Sequence, residues 1–306
     1  MSNQELLEAT NDRFRVEFND GLDTPDEELA LLAKRESESN MEPDQDKFTL
    51  YFVEYNPKLD EFDAEVNYDA GRLHAVSMVG RQYARGYSTP ITELKNPVKR
   101  EAHAAAIRAL GGAAQKTKLE RAWMMLFEGD SSKYGLCYDG QPFMDADHPG
   151  ENAFGGELDQ VNLFEGLPLN AENLLMVLAI MTNYHNTVGQ PFGNDWVGGQ
   201  NEPTFRLWHG AALEKTVSEL KMEDPAKQNT LAGTFTPRKS PYFSGTYAEW
   251  WMVQFLGAPL PLMVIDIDAY IESQIDRGEK KRIRHQAHAE FAMGYGHWHG
   301  VALCRP

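Results

Sequence analysis

Cysteine is scarce in this chain: among its 306 residues there are only Cys137 and Cys304, and neither belongs to a C-x-x-C pair. Two cysteines are too few for a disulfide framework, so we expect the protein to fold in a reducing compartment. Long apolar runs are also missing, and none approaches the roughly 20 residues that cross a bilayer. The first residues are polar and acidic, which argues against a secretory signal.

Basic residues are few as well. Lysine and arginine total 29 against 46 aspartates and glutamates, which gives a net charge of −17. Such a surface repels phosphate groups, so we do not expect tight nucleic-acid binding through a basic face. The charge alone favours the simpler interpretation, in which the acidity keeps the protein soluble. We expect at least one of two basic clusters to meet the acidic N-terminal region of a neighbouring copy. The clusters are Lys95, Lys99, Arg100 and Arg108, and Lys280, Lys281, Arg282 and Arg284.

Motifs of common enzymes are absent from the sequence. There is no G-x-S-x-G elbow, no P-loop and no H-E-x-x-H pattern, and Gly294-Tyr295-Gly296 lacks the third glycine of a dinucleotide-binding fingerprint. We therefore expect no catalytic residue, no cofactor and no metal site in this chain.

Residues 1–46 are polar and acidic and predict an N-terminal arm. Two short amphipathic stretches, Glu5 to Phe18 and Asp26 to Lys34, predict helices, but neither can bury much apolar surface by itself. We therefore expect the arm to be ordered by packing on another subunit. An arm folded tightly onto its own core would contradict this expectation.

Strand-forming residues follow the arm. Residues 48–55 are rich in aromatic and β-branched side chains, residues 62–68 alternate between apolar and polar ones, and residues 74–87 extend the pattern. These patterns predict a long β-hairpin that projects from the body over residues 48–92.

A long helix is predicted over residues 98–128, with a bend or weak point at Gly111-Gly112. Asn170 is a good cap for a later helix, whose interior, Leu174 to Met181, is apolar on nearly every side. We expect that helix to be buried. The rest of the chain has an amphipathic helix near residues 213–220 and strand-like runs at residues 203–208, 230–236, 247–255, 262–267 and 283–293. The order of arm, hairpin, long helix and mixed body predicts an α+β fold.

The densest group of metal-ligand side chains follows the long helix. Asp139, Asp145, Asp147 and His148 offer oxygen and nitrogen ligands, and Cys137 is close by. A metal-dependent hydrolase needs at least three of them to converge around an open position. The same residue types are equally good turn and loop chemistry, so a rigid loop is the competing interpretation.

A second group comprises four histidines near the C-terminus, His285, His288, His297 and His299. The last two are predicted to share one face of a strand, with Trp298 opposite, a geometry that can bind zinc. Partly exposed strand histidines without a metal fit the same pattern. Glu290 has the chemistry of a general base, but the sequence offers no partnered nucleophile.

The segment that follows the long helix resembles the signature of the Mu-like major head subunit family. In that family a C-Y-D-G-Q-x-F-F-D-x-x-H-P stretch directly follows a long helix that ends in a glycine-containing turn. The matching residues here are Cys137-Tyr138-Asp139-Gly140-Gln141-Pro142-Phe143 and Asp145-x-Asp147-His148-Pro149. Weaker similarities lie at Gly210-Ala211-Ala212-Leu213-Glu214, Ser240-Pro241-Tyr242, Glu249-Trp250-Trp251 and Ala292-Met293-Gly294-Tyr295-Gly296-His297-Trp298.

The resemblance implies a Hong Kong 97-like phage capsid fold. Its expected parts are an N-terminal arm (residues 1–46), an extended β-hairpin loop (47–96), a peripheral domain with a long spine helix (97–169), a mainly axial domain (170–262) and return strands that complete the body (263–306). The implied function is that of a major capsid protein, which assembles with itself into the icosahedral head shell of a tailed bacteriophage and is not an enzyme.

The implied partners are further copies of the chain in hexamers and pentamers, a scaffold, a portal and a cementing protein. DNA is expected to be enclosed without specific binding, with no membrane partner, in a virion assembled in the cytoplasm of the bacterial host. Two alternatives stay open. One is a cytosolic metal-dependent hydrolase that uses the cluster at residues 139–148 or the C-terminal histidines, and the other is a non-catalytic phage assembly factor such as a scaffold or tail component.

Overall fold

The computed structural model describes residues 3–36, 42–44, 47–54, 72–151, 157–185, 204–221, 231, 233–276 and 281–306. The α-helices within these residues are α1 (Asn3–Leu22), α2 (Glu27–Leu32), α3 (Ile91–Leu94), α4 (Pro97–Phe127), α5 (Ala171–Thr182) and α6 (Glu214–Lys221). None of the helices in this part of the chain is long and apolar enough to cross a bilayer.

The strands are β1 (Ala33–Arg35), β2 (Glu42–Asp44), β3 (Lys47–Glu54), β4 (Arg72–Pro90), β5 (His148–Glu151), β6 (Glu157–Gln160), β7 (Leu163–Glu165), β8 (Phe205–His209), β9 (Phe235–Lys239), β10 (Trp251–Phe255), β11 (Leu262–Asp276), β12 (Arg282–Tyr295) and β13 (Val301–Arg305). They form a six-stranded sheet in the order β1-β11-β12-β4-β3-β2, a five-stranded sheet in the order β7-β13-β10-β8-β9, and the β5-β6 pair. The mixture of helices and sheets confirms the α+β class.

The chain divides into two compact units. Unit 1 comprises Met1–Phe48, Met78–Ala122 and Met263–Met293, and unit 2 comprises Thr49–Ser77, Trp123–Leu262 and Gly294–Pro306. In unit 1 the buried lysine Lys118 of α4 is paired with Asp266 of β11. In unit 2, Trp123 lies edge-on to Trp208 of the five-stranded sheet, with 5.2 Å between their ring centroids.

The N-terminal residues form helices, as predicted, but α1 packs on its own chain. Phe14 and Phe18 are 0% and 1% exposed and belong to one buried cluster with Ile107 of α4 and Ile283 of β12. The prediction that this segment is ordered only on another subunit is therefore wrong for α1. Burial of a large apolar side chain stabilises a fold by about 1.5–3 kcal/mol, and α1 buries two such side chains at positions i and i+4. The acidic composition of the segment does not reveal this stabilisation.

The helix α4 continues without interruption through Gly111-Gly112. It begins at Pro97, and the Oδ1 atom of Asn96 accepts a hydrogen bond from the N–H of Val98 at 3.0 Å, as expected of a helix cap. The glycines are explained by packing, because a Cβ atom at Gly111 would lie 2.1 Å from the carbonyl oxygen of Phe18 in α1. The predicted weak point is a close contact between two helices.

The strand β4 is 19 residues long and only part of it can belong to a projecting hairpin. It pairs with β12 in antiparallel register from Pro90 opposite Arg282 to Gly80 opposite Ala292. The prediction that residues 48–92 project as a whole is therefore wrong over residues 80–90, because a second long strand satisfies their backbone hydrogen bonds. The predicted turn and the alternating run at residues 62–68 lie outside the described residues.

The helix α5 is capped as predicted, since Oδ1 of Asn170 accepts the N–H of Asn173 at 2.8 Å. Its inward face, formed by Leu174, Val177 and Met181, is fully buried. The prediction that the whole helix is buried is wrong for the isolated chain, because Leu175 and Met176 are 44% and 42% exposed.

Candidate functional site

The loop after α4 is organised by the carboxylate of Asp139. One oxygen, Oδ1, accepts the N–H of Gln141 at 3.1 Å and closes a turn. The other, Oδ2, accepts a hydrogen bond from Nδ1 of His148 at 2.7 Å. Gly140 between them has a φ angle of +86°, a left-handed conformation that glycine adopts without strain. The Asp-Gly pair of the motif is thus required by the backbone of this turn.

Aromatic and amide side chains anchor the same loop. The ring of Phe143 is fully buried and stacks on Tyr295, the last residue of β12, with 4.6 Å between ring centroids. The N–H of Met144 donates to the carbonyl oxygen of Gly129 at 3.0 Å. Asn162 is buried, and its Nδ2 donates to the carbonyl oxygen of Phe143 at 2.8 Å. These contacts hold the loop against both the end of α4 and the end of β12.

The ring of His148 lies in a stack of aromatic side chains. It is 3.8 Å from the ring centroid of Trp298, which in turn is 3.6 Å from that of His299. The hydroxyl of Tyr138 is 3.2 Å from Nδ1 of His299. The D-G-Q-P-F loop and the G-Y-G-H-W tail, which the sequence shows as separate motifs, therefore form one packed structure within unit 2.

The protonation of this stack is governed by burial. Burial lowers the pKa of His299 well below its ordinary value, and the nearby His297 and His148 lower it further. Burial also raises the pKa of the Cys137 thiol, and the charge of Asp139 adds to that effect. His299 is therefore neutral and Cys137 protonated at neutral pH, which makes the thiol a poor nucleophile.

The residues of the metal-hydrolase alternative are not brought together. Asp139 and His148 are paired with each other, whereas Oδ1 of Asp145 accepts the N–H of Ala146 at 2.7 Å and Asp147 is exposed to solvent. Across the described part of the chain, no group of three or more His, Cys, Asp or Glu side chains is arranged to hold a metal ion. The contacts of Asp139, Asp145 and His148 are hydrogen bonds that fix the conformation of the loop.

No three of the four C-terminal histidines, all of which the structure describes, are arranged to hold a metal ion. His285 and His288 belong to unit 1, where Nδ1 of His285 is 2.8 Å from Oγ of Ser273 and the ring of His288 stacks on Tyr270. His297 and His299 belong to unit 2. Glu290, the candidate base, accepts a hydrogen bond from Nε2 of Gln82 at 2.9 Å.

The strand predicted over residues 297–299 is also wrong, since Trp298–Gly300 form a 3-10 turn. Close packing at the end of this turn explains the glycine at position 300, because a Cβ atom there would lie 2.7 Å from the Cβ of Ala258 and 3.1 Å from the carbonyl oxygen of Pro259. Trp298 stacks on His148 and His299 and does not lie on the opposite side of a strand from His299.

Sequence reasoning missed a second feature of unit 2, the exposed outward face of α5. The signal was present, because apolar residues surround the helix on all sides. This composition predicts burial within the chain, although it equally suits a contact between chains.

Comparisons with known proteins agree with this geometry. The sequence model of a family described as the Mu-like prophage major head subunit gpT matches residues 7–178, more than half of the chain. No protein with a curated description matches.

Three solved structures share the fold. A chain of Mycobacterium phage Patience is similar with a TM-score of 0.55 and 12% identity, over 99% of this chain and 87% of that chain. A chain of the cyanophage P-SCSP1u capsid has a TM-score of 0.53 and 7% identity over 91% and 88% of the two chains. A chain of the bacteriophage JBD30 procapsid has a TM-score of 0.51 and 15% identity over 98% and 74%. The Hong Kong 97-like capsid fold expected from the sequence is therefore confirmed.

Proposed function

Because the chain belongs to the Mu-like prophage major head subunit family, we propose that it builds the phage head by self-association and carries out no catalysis. Its function is that of a major capsid protein, which forms the head shell. The observation that carries this conclusion is the match over residues 7–178, which includes most of α1, all of α4 and the whole Asp139–His148 loop.

The non-enzymatic part of the proposal is supported by the state of the candidate catalytic residues. The side chains of Asp139 and His148 are 3% and 0% exposed, and they are hydrogen-bonded to each other. A general base must reach the proton that it removes, and this pair is enclosed by the loop and the aromatic stack. In a shell subunit the same two residues would hold the loop in one conformation.

We assign the peripheral domain to unit 1 and the axial domain to unit 2. Unit 1 contains the arm helix α1 and most of the spine helix α4 and of the long strands β11 and β12. Unit 2 contains the five-stranded sheet and α5. In this assignment residues 123–169, which the sequence analysis groups with the peripheral domain, belong with the axial domain.

The partners in this proposal are other copies of the chain, arranged as hexamers and pentamers, since pentamers close an icosahedral shell and hexamers enlarge it. A scaffold, a portal and a cementing protein complete the set, and assembly takes place in the host cytoplasm. The net charge of −17 supports a lumen that encloses DNA without binding it specifically, because like charges repel at short range.

Sedimentation velocity tests the proposal directly. The purified chain is expected to show a slow species near its subunit mass of 34.5 kDa together with fast-sedimenting closed particles. A folded protein that stays a single slow species across protein and salt concentrations would contradict self-association. Elemental analysis of the same sample separates the hydrolase alternative, which requires a stoichiometric metal.

A further inference from the structure

The helix α5 is unusual in how little charge it carries, since Glu172 in its first turn is the only charged residue of the helix. From Asn173 to Tyr184 there is no acidic or basic residue, in a chain in which 25% of the residues are charged. A surface helix normally carries polar side chains on the face that points to water, and one that is apolar all round is normally covered on every side.

The structure covers only one side of α5. Leu174, Val177 and Met181 are each 0% exposed, whereas Leu175 and Met176 are 44% and 42% exposed. Ala179, one turn after Leu175, is also exposed. These three residues, Leu175, Met176 and Ala179, are called the outward face of α5 below. Exposed apolar surface of this kind marks interaction sites when it is contiguous.

A groove continues the outward face toward the C-terminal end of α5. Its volume is about 490 Å³, and its lining includes Val161, Ala179, Ile180 and Tyr184. Tyr184 is held in place in this lining, because its hydroxyl donates to the carbonyl oxygen of Val161 at 2.6 Å and the residue is only 1% exposed. Asp159 and Asn183 supply a polar rim. An apolar core with a polar rim is the usual anatomy of a protein–protein contact.

The charge of the chain indicates which kind of partner binds the outward face of α5. Copies of a chain with a net charge of −17 repel one another on average, so they approach most easily through surfaces that carry no charge. The outward face of α5 meets this condition, and it offers no cation to a nucleic acid or to an anionic lipid surface. In a shell of identical chains, each copy can cover the outward face of α5 of its neighbour.

We propose that the outward face of α5 and the adjoining groove are a contact surface for a second copy of this chain in the head shell. In a ring of copies the contact is head-to-tail, so the α5 face of one copy meets a different surface of the next. The inference rests on the proposed function and deepens it, because it names one surface through which the subunits associate.

The test compares two double variants by sedimentation and by thermal unfolding. Leu175→Glu with Met176→Glu places two charges in the contact, and we expect a loss of roughly tenfold or more in the yield of particles, since an unpaired buried charge costs more than 1.4 kcal/mol. Leu175→Met with Met176→Leu keeps the surface apolar and is the matched control, which should assemble as the wild type does. Both variants should keep the melting temperature of the free subunit, because exposed substitutions seldom change stability.

A photo-crosslinking amino acid at position 176 supplies a second measurement that does not depend on the charged variant folding. Crosslinks between chains that appear only in assembled particles support the proposal. Crosslinks within one chain, or a glutamate variant that assembles at the wild-type yield, overturn it while the proposed function stands. If the wild-type chain forms no particles at all, the proposed function fails and this inference falls with it.

Discussion

Asp139 makes two structural contacts, one through each oxygen of its carboxylate. One carboxylate oxygen closes the turn to Gln141 and the other holds the buried ring of His148. The Nε2 atom of His148 has no hydrogen-bond partner among the described residues. The ring is therefore oriented by a single hydrogen bond and by its stack on Trp298.

Replacing Asp139 by alanine should destabilise the subunit by about 1–3 kcal/mol, because a buried ring nitrogen and a turn N–H both lose their acceptor. Asp147→Ala is the matched control, since Asp147 lies in the same loop but is exposed, and it should have little effect. Urea unfolding followed by tryptophan fluorescence measures both. Equal stability of the two variants would show that the Asp139–His148 contact is not structural.

His285 gives the subunit a specific sensitivity to acid. Burial and, to a smaller extent, the charge of the nearby His103 together lower its pKa from 6.5 to about 4. Its Nδ1 lies 2.8 Å from Oγ of Ser273, and Phe14 and Tyr87 pack against its ring. The unfolded chain therefore binds a proton more readily than the folded chain between pH 6.5 and pH 4.

The folded state should lose stability from this group as the pH falls from about 6.5 to about 4, by at most about 3 kcal/mol, and should gain nothing further above pH 6.5. In the variant His285→Gln this part of the acid destabilisation should disappear. His288→Gln is the control, because His288 is partly exposed on the same strand. Unfolding free energies at pH 7 and pH 4.5 decide the matter, and parallel losses in wild type and His285→Gln would refute the assignment.

At the scale of elements, the contact between α1 and α4 depends on two glycines that face each other. A Cβ atom at Gly21 would lie 2.0 Å from the carbonyl oxygen of Arg108, and one at Gly111 would lie 2.1 Å from that of Phe18. Gly112 is different, since its nearest neighbour would be 3.8 Å away. Neighbouring glycines of the same helix thus have opposite roles.

This difference yields a matched pair of variants. Gly111→Ala should destabilise the subunit and loosen α1, because a backbone clash must push the two helices apart. Gly112→Ala should be neutral or stabilise α4 by up to about 1 kcal/mol through higher helix propensity. Hydrogen exchange of α1 amides measures the loosening. Faster exchange in the Gly112 variant than in the Gly111 variant would contradict the packing explanation.

Local signals in the sequence predicted most elements correctly. The cap at Asn170 and the alternation along β12 depend on neighbours within a few residues, and such patterns are visible in the chain itself. The turn at Asp139-Gly140 was likewise recognised as turn chemistry. These features follow from backbone preferences that do not need the rest of the fold.

Contacts between distant residues were not predictable in the same way. The sequence gives no sign that Phe14 and Phe18 pack on α4, that Gly111 serves a helix contact, or that His148 stacks on Trp298. For α5 the composition indicated burial correctly, but it does not distinguish cover by the same chain from cover by another copy.

At the scale of the whole molecule, basic residues that were expected to contact a neighbouring copy form ion pairs within the chain. Arg108 of the first basic cluster lies 2.9 Å from Glu17 and 3.1 Å from Asp20 of its own α1. The structure therefore differs from the expected contact with a neighbour's arm at this residue. In the second cluster Arg284 pairs with Asp276 at 2.7 Å, and Lys280 lies outside the described residues, so a contact of that cluster with a neighbour stays a prediction.

The excess negative charge should make assembly depend on salt. The range of repulsion falls from about 30 Å at 0.01 M to about 10 Å at 0.1 M ionic strength. Light scattering should therefore show faster particle growth as salt rises over this interval, because apolar contacts such as the α5 face are little affected by screening. A growth rate that is constant or falls over the interval would contradict the role given to charge.

Negative-stain electron microscopy of the purified protein tests the central claim most directly. If the chain is a head-shell subunit, the images should contain closed, rounded shells of uniform wall thickness, with the Leu175→Glu, Met176→Glu variant remaining as small separate particles. A folded wild-type protein that shows only small separate particles, at concentrations and salt conditions that favour association, would contradict the account.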